Sequence, residues 1–236
     1  MSLLNNPFWE VFKASFSPEV WKGIWPATLD TLYMTLIASV ITLLSGLLLG
    51  IVMTITAKDG LHPVRPFNAS MGWLINCLRS LPQMIMIILM IPVARLVFGR
   101  SYGINSCIIA LAASCIPMYA RIVQSSLLEI AKGKVEAAKS MGSNNMQTIV
   151  RVLLPETLPS LIRGFTVVVI AVISMTALAG NFGAGGIGDI AVRFGFQRFQ
   201  HEVLFACVYV LIIIVQIIQF VGDLASKLIL KKRHLT

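Results

Sequence analysis

Three glycines, Gly183, Gly185 and Gly188, are spaced as GxGxxG, the pattern of a loop that binds the pyrophosphate of a dinucleotide. That chemistry needs a strand before the glycines and a helix after them, because the phosphates bind at the helix N-terminus inside a βαβ unit. The apolar run before Gly183 is too long for a strand, and no βαβ pattern surrounds it. The spacing therefore does not indicate a dinucleotide site.

Other residues of catalytic type form no pattern. The sequence contains no GxxxxGKS or GxxxxGKT, so we do not expect the chain to bind ATP through a P-loop, and any ATP hydrolysis would have to come from a partner. His62, His201 and His234 are scattered, and the four cysteines lie in or near apolar segments without a CxxC spacing. We expect no catalytic residue, no metal site and no cofactor in this chain.

The stretch best suited to meet a partner is polar and basic, and it lies between very apolar segments at residues 134–160. Residues 134–141 are good helix formers, and Gly142 suits the left-handed residue that ends a helix. A second short helix, residues 146–154, is predicted to follow. We call this helix–glycine–helix segment, residues 134–155, the knuckle.

The second helix of the knuckle has its own start and stop signals. Asn144 or Ser143 can cap its first turn. Pro155 is predicted to stop it, because proline cannot donate a backbone hydrogen bond.

The first helix of the knuckle carries one acid, Glu136, beside the small residues Ala137 and Ala138. Small side chains let another surface approach the backbone closely, and a lone carboxylate can pair with an arginine of a partner. The alternative is an ordinary solvated helix-turn-helix.

The composition predicts an integral membrane protein, because 57% of the 236 residues are hydrophobic and only 12% are charged. The net charge of +9 could suggest nucleic acid as a partner. However, the basic residues lie in loops and a tail without interleaved aromatics, so membrane lipid and a positive-inside topology explain them better.

The fold class predicted from the uncharged runs is an all-α membrane protein with five transmembrane helices. Its transmembrane domain covers residues 29–224, with spans at about 31–56, 71–97, 103–125, 164–182 and 203–225 and a loop at 130–162 that contains the knuckle. Residues 1–28, with Trp21 and Trp25, are predicted to be an amphipathic interfacial segment, and residues 225–236 a basic cytoplasmic tail.

The first span contains small residues at every fourth position, Ala38, Thr42, Gly46 and Gly50. Such a stripe allows close contact between helices. We favour packing within the subunit over packing against a second copy.

The second span has to contain Arg79, because the uncharged run after it is too short to cross a bilayer alone. Arg79 either reaches the cytoplasmic edge of the membrane or lines an internal cavity. Pro82 and Pro92 are predicted to bend this helix.

The basic residues also predict the orientation. Placing the knuckle in the cytoplasm puts about twice as many Lys and Arg inside as outside, which favours an external amino terminus and a cytoplasmic carboxyl terminus.

The EAA sequence, followed by Gly142 and by Leu154-Pro155, resembles the cytoplasmic EAA loop of the membrane subunits of ABC importers. In that family the loop is a coupling helix that docks into a cleft of a separate ATPase subunit. That subunit also binds ATP and Mg. The resemblance implies that seven residues couple to the ATPase: Glu136, Ala137, Ala138, Met141, Gly142, Leu154 and Pro155.

Residues 78–99, 181–199 and 219–223 resemble, more narrowly, the methionine-specific permeases of that family. Such permeases reside in the bacterial plasma (inner) membrane and pair as homodimers. The resemblance implies that a second copy of this chain, two ATP-binding cassette subunits and an extracytoplasmic methionine-binding protein are its partners.

The resemblance also implies site residues. An external loop with Gly183, Gly185, Gly186, Gly188 and Asp189 would face the binding protein. The fourth span would line the pathway, where Met175 and Leu178 either gate the substrate or only pack against neighbouring helices. Together with Arg79, Pro82 and Met118, they are the pathway candidates.

In the family, a methionine commonly stands in place of Leu178, and aromatic residues in place of Gln83 and Met118. A permease for another amino acid or small polar solute is therefore an alternative to import of D- or L-methionine. An ATP-independent channel or a membrane enzyme is more remote, since an enzyme needs clustered catalytic groups, which the sequence lacks.

Overall fold

The computed structural model describes residues 8–130 and 132–232, and every regular element in these two ranges is a helix. The α-helices, in chain order, are α1 (Phe8–Ala14), α2 (Pro18–Ile55), α3 (Arg65–Ser80), α4 (Gln83–Phe98), α5 (Ile104–Leu128), α6 (Lys132–Ser140), α7 (Asn145–Thr148), α8 (Leu154–Ala179), α9 (Gly186–Ile190) and α10 (His201–Lys232). Two π-helical turns cover Ile149–Leu153 and Ala191–Phe196, and a 3-10 turn covers Gly180–Phe182.

Four helical stretches of the described chain are long and apolar enough to cross a membrane. They are α2, α5, the continuous helix Asn145–Phe182, and α10. The pair α3 and α4 makes a fifth if it counts as one span. The all-helical membrane class predicted from the composition is therefore confirmed.

The first long helix begins earlier than predicted. It starts at Pro18, a residue favoured in the first turn, rather than near residue 31. Trp21 and Trp25 therefore lie in the same helix as the span, and within the described residues from Phe8 onward α1 is the separate helix before it. Burial of the apolar face of the extended helix favours the continuation. Residues 1–7 of the predicted amphipathic segment lie outside the described residues.

The second span is not one bent helix, as predicted, but two helices. Leu81 and Pro82 have extended backbone, with ψ angles of 133° and 137°, and they separate α3 from α4. A residue before proline is disfavoured in a helix, which explains the break. Pro82 therefore precedes a helix instead of bending one, whereas Pro92 does lie inside α4.

Pro155 does not stop a helix, contrary to prediction. The chain stays helical from Asn145 to Phe182, and Pro155 lies in the first turn of α8. The π-helical turn Ile149–Leu153 directly precedes it, and the N–H of Leu154 donates to the carbonyl of Ile149, five residues back. In a π-helical turn the backbone hydrogen bonds span five residues instead of four. This shifts the bonds at the position where the proline ring would otherwise clash with a carbonyl of the preceding turn.

The last helix also extends further than predicted. The span expected to end near residue 225 continues as α10 to Lys232, so most of the predicted basic tail is helical. Residues 233–236 lie outside the described part.

The described chain divides into two compact units. The first unit contains residues 8–40, 82–114 and 169–218. Its core includes a cluster in which Ile24 and Ala27 of α2 pack with Ile187, Ala206 and Cys207. The glycine-rich segment before α10 is thereby part of the core of this unit.

The second unit contains residues 41–81, 115–168 except 131, and 219–232. Here the small residues of α2 allow α5 to approach. A Cβ on Gly46 would lie 2.9 Å from Cδ1 of Tyr119, and a Cβ on Gly50 would lie 2.5 Å from Cβ of Val123. The stripe therefore packs within the subunit at these two positions, as we favoured.

We predict that Gly50→Ala lowers stability by about 1–3 kcal/mol, because the added methyl overlaps a packed neighbour. It would also lie 2.7 Å from the carbonyl oxygen of Ala120, which is backbone and cannot rotate away. Thermal unfolding of the detergent-purified protein measures the effect. The matched control is Gly23→Ala in the same helix, where a Cβ meets nothing within 4 Å. An equal melting temperature for the two variants would contradict the prediction.

Candidate coupling and translocation sites

The first helix of the knuckle, α6, ends at a left-handed glycine, as predicted. Gly142 has a φ of 84°. The N–H of Gly142 donates to the carbonyl of Lys139 at 2.9 Å, and the N–H of Ser143 donates to that of Ala138 at 3.1 Å. These two bonds form a Schellman motif, which satisfies carbonyls that a helix end leaves free.

The second helix of the knuckle begins with a capping box. Oδ1 of Asn144 accepts a bond from the N–H of Gln147 at 2.8 Å, and Oε1 of Gln147 accepts one from the N–H of Asn144 at 3.0 Å. Of the two predicted caps, Asn144 is thus the one used. The turn between α6 and α7 is fixed on both sides of Gly142.

An ion pair also joins the first helix of the knuckle to the residue that directly follows the knuckle. Nζ of Lys134 on α6 contacts Oε1 of Glu156 on α8. Ala138 is buried, with 3% of its surface exposed, so it anchors α6 to the second unit. Sequence reasoning missed Glu156, because a pair between residues so far apart in the chain has no local signal.

The outward face of the knuckle is available to a partner. Glu136 and Ala137 are exposed, and Met141 is 81% exposed. Met146, which the sequence did not single out, is 69% exposed, so two flexible apolar side chains flank Gly142. A Cβ on Gly142 would meet nothing within 4 Å. This face combines an acid, small residues and adaptable methionines, which suits docking.

Two predicted coupling residues lie elsewhere. Leu154 and Pro155 are half-buried at the start of α8, where they shape the helix that leaves the knuckle. Beside the knuckle, Glu136 and Lys139 line a cavity of about 490 Å³ together with Asp59, Gly60 and Leu61.

The glycine-rich loop of the first unit is folded against its neighbours. Gly186 and Gly188 are buried. The N–H of Ile187 donates to Oγ1 of Thr31 on α2 at 2.9 Å, and a Cβ on Gly186 would lie 2.7 Å from the same oxygen. A Cβ on Gly188 would overlap the backbone of Ala177 on α8. Close packing of backbone therefore explains these glycines, and Thr31 is a residue that sequence reasoning missed.

Other members of the loop remain accessible. Gly183 is exposed and Gly185 is half-buried, and both have positive φ. Asp189 forms an ion pair with Arg193. The residues predicted to face a binding protein thus separate into an accessible group and a packed group.

The five pathway candidates differ in exposure. Arg79, in the last turn of α3, and Pro82 are exposed, and Met118 is half-buried. Met175 is 1% exposed and lies in the core of the first unit, whereas Leu178 is 37% exposed. Of the two gate candidates, Leu178 is therefore the exposed one.

Membrane-length helices and a doubly capped helical turn with an accessible face define a multi-span membrane protein with a surface for a partner. The comparison with known families agrees. Residues 46–234 match the model of the binding-protein-dependent transport system inner membrane component, and the chain belongs to this family. It is a permease subunit of an ABC importer, and the ATPase is a separate subunit.

Relatives cover most of the chain. The protein named probable D-methionine transport system permease protein MetI of Vibrio cholerae is 41% identical over 84% of this chain and 88% of its own. The methionine import system permease protein MetP of Bacillus subtilis is 40% identical over 89% and 94%.

Solved structures are similar over the same range. A chain of the inward-facing MetNI methionine ABC transporter superposes with a TM-score of 0.88 at 31% identity, covering 91% of this chain and 99% of that one. A chain of an amino acid ABC transporter crystallised with histidines has a TM-score of 0.73 at 17% identity, which shows the fold alone.

Proposed function

We propose that this chain imports D- or L-methionine as the permease of an ABC transporter. It works as a homodimer with two ATP-binding cassette subunits, which bind ATP and Mg, and it receives the substrate from an extracytoplasmic methionine-binding protein. Its amino terminus lies outside and its carboxyl terminus in the cytoplasm. The names of the relatives support methionine, and the excess of basic residues on the knuckle side supports the orientation.

The observation that carries this proposal is the accessible, doubly capped knuckle. A rigid element with an exposed acid and small side chains suits a cleft on a soluble ATPase. Glu136 provides the charge for an arginine of that cleft. Ala137 lets the two backbones approach, and Met141 fills the remaining apolar space.

The mechanism is alternating access. ATP binding draws the two ATPase subunits together, and the knuckles move with them. The two copies of the permease then change from an inward-open to an outward-open arrangement, with Leu178 near the gate. Moving a two-state equilibrium from one end to the other requires about 5.5 kcal/mol of differential binding. Closure of the ATPase subunits on ATP has to supply this energy through the knuckle.

The test is reconstitution of the chain with its ATPase subunit and binding protein in proteoliposomes. We expect uptake of radiolabelled methionine that needs both ATP and the binding protein. Unlabelled methionine should compete, while other amino acids compete poorly. Uptake of another solute in its place would assign the permease to that solute, and flux without ATP would contradict the proposal.

A further inference from the structure

The first unit contains a cavity of about 630 Å³ that could hold a substrate. That volume is within the range of small-molecule sites. Three segments line it: α2 at Asp30 and Tyr33, the stretch 98–106 from the end of α4 to the first turn of α5, and the glycine loop at residues 183–185. On the predicted topology this cavity opens to the outside.

The three segments are tied to one another by hydrogen bonds. The N–H of Gly103 donates to the carbonyl of Gly183 at 3.1 Å, which joins the α4–α5 connection to the glycine loop. The N–H of Ile187 donates to Oγ1 of Thr31, which joins the same loop to α2 next to Asp30. Oγ of Ser106 donates to the carbonyl of Arg100 at 2.9 Å. The backbone that carries the charged side chains is therefore fixed.

Two opposite charges of this cavity are unpaired. Within residues 8–130 and 132–232, the side chains of Asp30 and Arg100 form no hydrogen bond or ion pair with another residue. The neighbouring Asp189 and Arg193 are, by contrast, paired with each other. Asp30 is half-buried, and a Cβ on Gly185 would lie 3.8 Å from its Oδ2. Arg100 is exposed. A carboxylate that is shielded from solvent is normally paired, so an open Asp30 and an accessible guanidinium lining the same cavity point to a ligand with both charges.

Three aromatic side chains also line the cavity, together with Ile104, Asn105, Ser106 and the small residues of the glycine loop. Tyr33, Phe98 and Tyr102 line it with 49%, 46% and 70% of their surface exposed. Aromatic rings make favourable contacts with a thioether sulfur. They offer no charge to an acidic or basic side chain. The wall therefore favours an apolar or sulfur-containing side chain.

We propose that this cavity is a receiving site for a zwitterionic amino acid as it leaves the binding protein. Arg100 binds the α-carboxylate, Asp30 binds the α-ammonium group, and the side chain lies against Tyr33 and Tyr102. The fork of a guanidinium fits a carboxylate, and an ammonium group is a strong donor to an aspartate. This proposal rests on the proposed function and extends it by assigning a site for the backbone of the substrate.

The test uses the complete permease–ATPase complex without binding protein and measures equilibrium binding of radiolabelled methionine. The competitors are methionine methyl ester, which lacks the carboxylate, and the 2-hydroxy analogue, which lacks the ammonium group. We expect Asp30→Asn and Arg100→Gln each to weaken methionine binding about tenfold. Asp30→Asn should also remove the preference for methionine over the hydroxy analogue, and Arg100→Gln the preference over the ester.

The matched control is Arg95→Gln, because Arg95 is exposed on α4 but does not line the cavity. It should bind and discriminate as the wild type does. Unchanged discrimination in the Asp30 and Arg100 variants would overturn the receiving site. A second result would also overturn the receiving site. If the variants changed only the binding-protein concentration that half-maximally stimulates ATPase activity, the cavity would be assigned to protein docking.

Wild-type uptake in proteoliposomes separates the two proposals. Absence of methionine uptake contradicts the proposed function. Normal wild-type uptake with unaltered ligand selection in the variants contradicts the receiving site alone.

Discussion

Gly142→Val is expected to abolish ATP-driven uptake while the chain stays folded in the membrane. Gly142 has a φ of 84°, and a Cβ there would meet no neighbour within 4 Å, so the penalty is one of backbone conformation. A left-handed conformation costs an L-residue roughly 1–2 kcal/mol, and a β-branched side chain is disfavoured further. The turn then relaxes, and the bonds from Gly142 and Ser143 back to α6 are lost.

Uptake in proteoliposomes and co-purification of the ATPase subunit measure this effect. Gly142→Asn is the first control, because asparagine tolerates the left-handed conformation and should retain most of the activity. Gly133→Val is the second, since Gly133 lies in α6 with equally open surroundings and no positive φ. If Gly142→Val assembled and transported as Gly133→Val does, the knuckle would not be the coupling element.

Gly188→Ala is expected to destabilise the first unit by about 1–3 kcal/mol or more, because the methyl group has no room. It would overlap the Cα, C and O atoms of Ala177 in α8. A Cβ on Gly180, across the same contact, would meet the backbone of Asp189. The loop and the end of α8 therefore pack backbone against backbone, and neither can yield by changing a rotamer.

Thermal unfolding in detergent measures the loss of stability for Gly188→Ala. The double variant with Ala177→Gly distinguishes the source of the clash. Removing the Cβ of Ala177 should not rescue the protein, because the contact is with backbone atoms. Rescue by that second change, or a melting temperature equal to that of Gly23→Ala, would contradict this account of the loop.

Features that depend on neighbouring residues could be predicted from the sequence. The left-handed Gly142 and the cap at Asn144 follow from local rules of helix termini, and the structure confirms both. The membrane class follows from composition, and the spacing of Gly46 and Gly50 on one helix face indicates a close helix contact without indicating which helix they meet.

Features that depend on distant contacts or on small energy differences could not be predicted from the sequence. Pro82 separates two helices whereas Pro155 lies inside one, although each follows a leucine. The difference arises from the π-helical turn before Pro155, which short-range rules do not predict. The anchoring of the glycine loop on Thr31 joins residues 156 positions apart, so no local pattern could indicate it.

A glycine between two helices often acts as a flexible joint, but the joint at Gly142 is held on both sides. The Schellman hydrogen bonds fix the turn to α6, and the capping box fixes it to α7. The ion pair between Lys134 and Glu156 adds a contact between α6 and α8. These bonds connect α6 to the start of α8, and we expect the contribution of the exposed ion pair to this connection to fall as salt screens it.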